Sequence, residues 1–129
     1  MNFSIAQHGI PLDKSLYTID LKNKVFTSES NYIVLDFTNC TGWTFTTGGN
    51  CTFYTGYGCT FDTGSYCMFK TGDNCTFTTS NNCTFYTGDR CIYHLKLVPL
   101  IPKLFYIVLA TFIVPLFLIK FLEYLQTVL

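Results

Sequence analysis

Cysteines are the residues of this sequence whose type and spacing could do chemistry. Of the seven, six recur every eighth residue: Cys51, Cys59, Cys67, Cys75, Cys83 and Cys91. Thiolates can bind metal ions, form disulfides or act as nucleophiles. Structural zinc sites use close pairs such as Cys-x₂-Cys, and the sequence contains no such pair. The regular spacing therefore indicates a structural repeat and not a metal centre.

Other catalytic and binding residues are sparse. His8 and His94 are the only histidines, and neither lies in a recognisable motif with a nucleophile and an acid. Lys and Arg total 8, as do Asp and Glu, and a chain without a basic surface is a poor nucleic-acid binder. We therefore expect that the protein is not an enzyme and that it binds no cofactor, nucleic acid or small-molecule substrate.

The repeat unit reads Cys-Thr-Phe-x-Thr-Gly followed by a two-residue turn. It extends backwards from Cys51, with Trp43 and Leu35 in the cysteine position. Because that position accepts Leu, Trp or Cys, it requires an apolar side chain and not a thiol. The third position is aromatic in every unit, whereas the fourth is variable and suits a solvent face. Alternation of buried and exposed positions predicts a β-strand.

The end of each unit predicts a tight turn, because the glycine at position six is followed by Gly or Asn in most units. We predict that successive strands alternate between two faces of a narrow coil of about 16 residues per turn, and pair in parallel with the strand two units away, about 4.8 Å along the axis. An antiparallel meander fits the spacing but leaves one Cys/Phe face uncovered. The predicted fold is an all-β, two-sided parallel β-solenoid of about four coils over residues 35–98.

This register predicts ladders of like side chains in the core. One face should stack Phe45 below Phe61, and the other Leu35 below Cys51 and Phe37 below Phe53. The core ladder comprises Cys51, Cys59, Cys67, Cys75, Cys83, Cys91, Phe53, Phe61, Phe69, Phe77 and Phe85.

Outside the second face, Tyr54, Lys70 and Tyr86 should form a row. A cation–π contact between Lys70 and the two rings would contribute roughly 0.5–1 kcal/mol. We expect this row to be the interaction face.

The octads resemble those of octapeptide-repeat β-solenoid proteins, uncharacterised proteins of large DNA viruses and phages. The resemblance covers residues 43–92, with Met68, Ser80 and Ile92 as departures from the Cys-Thr-Phe-x-Thr-Gly pattern. It implies a solenoid and is compatible with a viral structural component, and it carries no assigned activity.

Two segments precede the repeat. Residues 17–34 alternate apolar and polar side chains around Lys22-Asn23. This pattern predicts a hairpin that covers the exposed strand edges at the N-terminal end of the solenoid. Residues 1–16 are expected to be irregular.

Residues 99–129 form a separate apolar segment, in which 104–119 carries no charge. As a helix, about 16 residues span about 24 Å, close to a ~30 Å hydrocarbon core, and Lys103 and Lys120 can reach the interfaces. We expect residues 104–122 to be a single-pass membrane helix, with the repeat domain in the cytosol because more positive charges precede the segment than follow it. Two alternatives remain: the segment is a helix that caps the solenoid or an oligomer, or it is a tail produced by truncation or a frameshift.

These features predict a non-enzymatic structural or protein-interaction module, a rigid solenoid held at a membrane that acts through a protein partner or self-assembly. The alternative is a secreted or surface protein that binds ice or glycan, with disulfides such as Cys51–Cys59 across the core. The first interpretation is preferred because the N-terminus lacks a signal-peptide pattern and an odd number of cysteines cannot all pair. Asp62 and Met68 also interrupt the threonine positions that an ice-binding face requires.

Overall fold

The computed structural model describes residues 2–97 and 114–128, and the chain divides into two units, Met1–Leu97 and Val98–Leu129. The first unit is an all-β parallel solenoid of about four coils, and the described part of the second is one α-helix. The fold class predicted from the octad repeat is thus confirmed for the repeat.

Short strands separated by turns build the first unit. Within residues 2–97 the strands are β1 (Ser4–Gln7), β2 (Ile10–Pro11), β3 (Thr18–Asp20), β4 (Val25–Thr27), β5 (Ile33–Phe37), β6 (Thr44–Thr46), β7 (Thr52–Thr55), β8 (Thr60–Asp62), β9 (Met68–Lys70), β10 (Thr76–Thr79), β11 (Thr84–Tyr86) and β12 (Ile92–Leu95). A 3₁₀ turn at Lys14–Leu16 links β2 to β3.

The strands form two six-stranded sheets whose orders are β11-β9-β7-β5-β1-β2 and β12-β10-β8-β6-β4-β3. From β4 onward, each strand pairs in parallel with the strand two elements along the chain. Successive octads therefore alternate between the sheets, because only this path lets the apolar positions of both faces meet in one core.

Aromatic rings at the third repeat position fill this core. Along one sheet, Phe53 and Phe69 stack with centroids 4.9 Å apart, and along the other Phe61 and Phe77 stack at the same distance. Rings from opposite sheets meet edge to face, as Phe61 and Phe69 do at 5.1 Å. These are the two preferred geometries of aromatic pairs, and all four rings are completely buried.

The fifth position adds a third inward column that the sequence reasoning missed. Thr55 and Thr63 are buried, and each hydroxyl donates a hydrogen bond to the carbonyl of the following glycine. Positions one, three and five of the octad thus all point inward, as the two-residue period of a strand requires. Threonine fits here because its methyl group packs in the core while its hydroxyl bonds to the chain at the corner.

Close packing between coils, and not backbone conformation, requires glycine at position six. A Cβ on Gly64 would lie 2.8 Å from the nitrogen of Gly49 in the coil below, and one on Gly56 would lie 2.7 Å from the carbonyl oxygen of Cys40. Positive φ occurs instead at position eight, for example at Asn50 (56°) and Gly58 (67°). Within the repeat, the conformational freedom of Gly and Asn is therefore used at position eight and not at position six.

The first coil differs from the predicted register. Leu35 pairs with Phe53, and Phe37 with Thr55, so both predicted partners are wrong by two residues. The unit that begins at Ile33 is ten residues long, since Ile33 lies beside Cys51 and Trp43 begins the next unit. The extra length carries Phe37 into the end of the core, where its ring stacks on Phe3 at 4.7 Å.

The expectation that residues 1–16 are irregular is wrong. Strand β1 pairs antiparallel with β5, and β2 pairs antiparallel with β1. The predicted hairpin is present as β3 and β4, and β4 itself continues the parallel sheet. The segment before Leu12 was missed because Ser4–Gln7 is too short and mixed to show a strand period. Both sheets therefore end, on the N-terminal side, in short antiparallel strands.

The helix of the second unit, α1, spans Val114–Val128. Its side chains are exposed around the helix, including Phe117 (77 %) and Leu118 (59 %). Of the membrane segment expected at 104–122, residues 104–113 lie outside the described residues. Within the described ranges, no helix combines the length and the apolar character needed to cross a membrane.

Candidate interaction face

The predicted row lies on the outside of the sheet that contains β5, β7, β9 and β11. Tyr54 pairs with Lys70, and Lys70 with Tyr86, in consecutive coils. Asp36 precedes Tyr54 in the same column, because Asp36 pairs with Tyr54. The parallel register thus brings the four side chains, 16 or 18 residues apart in sequence, into one line.

A second outward column runs beside this row. It contains Val34, Thr52, Met68 and Thr84, which pair in register from coil to coil. We call the two columns together the row face. Met68, a departure from threonine at the second position, is half-buried within this second column.

Two shallow grooves mark the row face. One of about 270 Å³ is lined by Tyr54, Met68, Lys70 and Tyr86. The other, of about 310 Å³, lies on the opposite side of Tyr54 and Lys70, next to the corner at Gly72. Both grooves are lined by Tyr54 and Lys70, so the face offers aromatic surface and one positively charged side chain.

The outside of the other sheet has a different chemistry. Thr44, Thr60 and Thr76 form one column in register, and the neighbouring column contains Thr46, Asp62 and Thr78. Asp62 forms an ion pair with Lys96, whose ammonium also donates to the carbonyl of Thr63 at 3.0 Å. The charged pair interrupts the threonine array, as the sequence indicated.

The repeat cysteines form two columns inside the corners. Cys51, Cys59, Cys67 and Cys75 are buried, whereas Cys83 and Cys91 in the last coil are half-buried, and all are free thiols. Each thiol lies near backbone carbonyls of its own corner and of the coil below, as Cys67 does at 3.7 Å from both Gly48 and Ser65.

The disulfide considered between Cys51 and Cys59 does not form. The thiol of Cys51 contacts carbonyls at the Gly48–Gly49 corner, whereas that of Cys59 contacts those of Cys40 and Tyr57 at the opposite corner. Facing strands run in opposite directions, so the first position of one octad lies at the far end of the coil from the first position of the next.

Contacts within each column shift the thiol pKa values in opposite directions. The side-chain contact with Cys51 raises the pKa of Cys67, and burial acts in the same direction; the same holds for Cys75 above Cys59. The same contacts lower the pKa of Cys51 and Cys59. Burial raises the pKa of Cys83. A column of mutually contacting thiols is thus a packing feature in which the upper members stay protonated.

The remaining candidate residues are dispersed. His8 packs against Tyr32 at the N-terminal end, with ring centroids 5.8 Å apart, whereas His94 is exposed on the last strand. In residues 2–97 and 114–128, no three His, Cys, Asp or Glu side chains converge in a way that could hold a metal ion.

The row face is therefore the part of the described molecule where side chains of distinct chemistry are brought together by the fold. Comparison with protein-family models, with curated proteins and with solved structures finds no match to this chain.

Proposed function

We propose that this protein is a non-enzymatic interaction module, in which a rigid β-solenoid presents the row face to a protein partner and the apolar C-terminal segment holds the solenoid at a membrane. The observation that carries the proposal is the register of Tyr54, Lys70 and Tyr86 beside two grooves. Aromatic residues with an adjacent cation are typical of binding surfaces.

Rigidity supports a presenting role. The outer side chains are fixed to a core whose rings stack at 4.9–5.2 Å in the central coils, for example Phe45–Phe61 at 5.2 Å and Phe53–Phe69 at 4.9 Å. A surface already ordered before binding loses little conformational entropy when a partner arrives. The row face can therefore bind with few strong contacts.

The apolar segment supports membrane attachment. Helix α1 exposes Leu116, Phe117, Ile119 and Phe121 on its surface. Large exposed apolar surfaces mark membrane or protein contacts, and residues 104–113 would continue the apolar stretch. A solenoid held in this way, as in a viral structural component, would present the row face close to a membrane.

Site-specific photo-crosslinking tests the row face. A benzophenone amino acid in place of Tyr54 should give a discrete adduct with a partner in cells, whereas the same group in place of Thr78, on the outside of the other sheet, should not. Equal crosslinking from both positions would show that the row face is not selective.

Vesicle flotation tests the attachment. The full chain should float with neutral phosphatidylcholine vesicles, and a chain that ends at Leu97, which retains the whole solenoid unit, should remain at the bottom of the gradient. Flotation of both chains, or of neither, would contradict the proposed role of the apolar segment. The crosslinking experiment tests the binding role of the row face independently of this result.

A further inference from the structure

The outermost described strands differ between the two ends of the solenoid. At the N-terminal end, β2 and β3 cover the sheets as short antiparallel strands of two and three residues. At the other end, β11 and β12 are the outermost strands described. Among the described residues, the core positions are more exposed at this end: Tyr93 is 50 % exposed, whereas its neighbour Phe77 one coil below is 0 % exposed.

The last strand also carries backbone groups that point away from the stack. The amides of Ile92 and Lys96 donate to the carbonyls of Cys75 and Thr79 in the coil below. In a parallel ladder, alternate residues bond to opposite neighbours. The intervening residues Tyr93 and Leu95 therefore direct their N–H and C=O groups outward, which makes β12 a template for another strand.

The two outer strands lie half a coil apart along the solenoid axis. The ring of Phe85 on β11 is 5.1 Å from Phe77 and 5.0 Å from Tyr93, which precede and follow it on the other sheet. The end of the stack is thus a step, in which β12 stands about half of a 4.8 Å strand spacing above β11.

A step can be closed by a second copy of this chain in one orientation. If β11 met β11 of the second copy and β12 met β12, the distance between the two β11 strands would exceed that between the two β12 strands by a full strand spacing. The β11 strands would then be too far apart to pair. A two-fold axis parallel to the strands places β11 against β12 of the second copy and closes both gaps equally. Strands β11 and β12 run in opposite directions, so the new pairs are antiparallel.

Charge at the corner favours the same arrangement. This axis places each corner over the same corner of the second copy. Asp89 and Arg90, which are both exposed, then meet Arg90 and Asp89 of the second copy. Arg90 of each copy then faces Asp89 of the other. The core continues as well, because Phe85 would lie over Tyr93 of the second copy, as Phe69 lies under Phe85 within one chain.

We propose that the protein forms a closed two-fold dimer through the C-terminal ends of its solenoids, with β11 paired to β12 of the second copy. The covered N-terminal ends prevent further addition, so the assembly stops at two chains. A scaffold of this kind would present two row faces, and the dimer does not depend on the proposed partner or membrane.

Sedimentation equilibrium of the full chain in a density-matched mild detergent tests the dimer. The expected mass is twice 14.7 kDa. Leu95→Pro removes an outward N–H and places the ring where the second copy would pair, without touching the bonds to β10. It should raise the dissociation constant by at least about tenfold. The matched Leu95→Ala, which keeps the N–H, should remain dimeric.

Each other outcome overturns the proposal. A monomeric wild type, an open polymer, or a Leu95→Pro variant that dimerises as tightly as Leu95→Ala would show that the solenoid ends do not pair. In a chain that keeps Leu95, isotope-mixed crosslinking from a benzophenone amino acid in place of Tyr86 should map to the second copy near Ile92. Crosslinks to residues 84–86 of the second copy would contradict the crossed pairing, whether or not the proline variant folds.

Discussion

At the scale of single residues, the repeat assigns a physical task to five of the eight positions of the octad. The first and third positions fill the core, the fifth bonds its hydroxyl at the corner, the sixth allows coils to approach, and the eighth takes positive φ. Trp43 shows how strict the packing is: its indole N–H is the one buried side-chain polar atom without a hydrogen-bond partner among the described residues. The ring is completely buried, so its packing outweighs the cost of this unpaired N–H group.

Removal of one central ring should cost much of the stability. Phe61→Ala deletes contacts with the rings of Phe45, Phe53, Phe69 and Phe77, all within 5.3 Å, and leaves a cavity that neighbouring coils cannot close. We expect a loss of about 3–5 kcal/mol in the free energy of unfolding, measured by urea denaturation.

A matched control for this variant is Tyr57→Ala, since Tyr57 is 61 % exposed at a corner. It should change the free energy of unfolding by no more than about 0.5 kcal/mol. Similar losses for the two variants would show that the stacked rings do not dominate the core.

Thiol reactivity should report burial position by position. In the native protein, only the half-buried Cys83 and Cys91 should react quickly with a disulfide reagent, and all seven cysteines should react after unfolding. Raised pKa values at Cys67 and Cys75 favour the unreactive thiol form, and Cys51 and Cys59, whose pKa values are lowered, are shielded from the reagent because they are buried. Fewer than seven thiols after unfolding without reductant would support the disulfide-bonded alternative.

At the scale of elements, the corners decide how closely coils can stack. Gly64→Ala would push a methyl group against the backbone at Gly48 and Gly49, which cannot move as a side chain could. We expect a loss of about 1–3 kcal/mol, seen as a lower melting temperature. Ser80→Ala at the same octad position should be nearly neutral, because that coil already accommodates a Cβ; an equal loss would contradict the steric explanation.

The N-terminal strands should act as a cover for the sheet edge. A chain without residues 2–12 loses β1 and β2, exposes the pairing edge of β5, and uncovers Phe37 where Phe3 now stacks. An uncovered edge pairs with other chains, so this variant should melt at a lower temperature and form large assemblies in light scattering. A monodisperse variant of unchanged melting temperature would show that the two strands are dispensable.

At the scale of the whole molecule, the strict octads predicted the fold because identical units admit few ways to share a core. Sequence reasoning identified the two-sheet solenoid, the inward Cys and Phe positions, and the composition of the row of Tyr54, Lys70 and Tyr86. It failed where the repeat is irregular: the two extra residues after Ile33 shift Leu35 and Phe37, and no sequence period signals that shift. The binding role of the row stays a prediction, since a register fixes which side chains are neighbours and not what they bind.

The alternation of octads between two sheets restricts how such a chain can change length. Loss or duplication of 16 residues, for example Cys59–Asn74, would return the next octad to its own sheet and keep every later ladder intact. Loss of a single octad would send all later strands to the opposite sheet, and Tyr54 and Lys70 would then lie on opposite sides of the protein. The row is therefore kept only when octads are gained or lost in pairs. Duplication of an odd number of octads would preserve the core but would divide the row between the two outer surfaces.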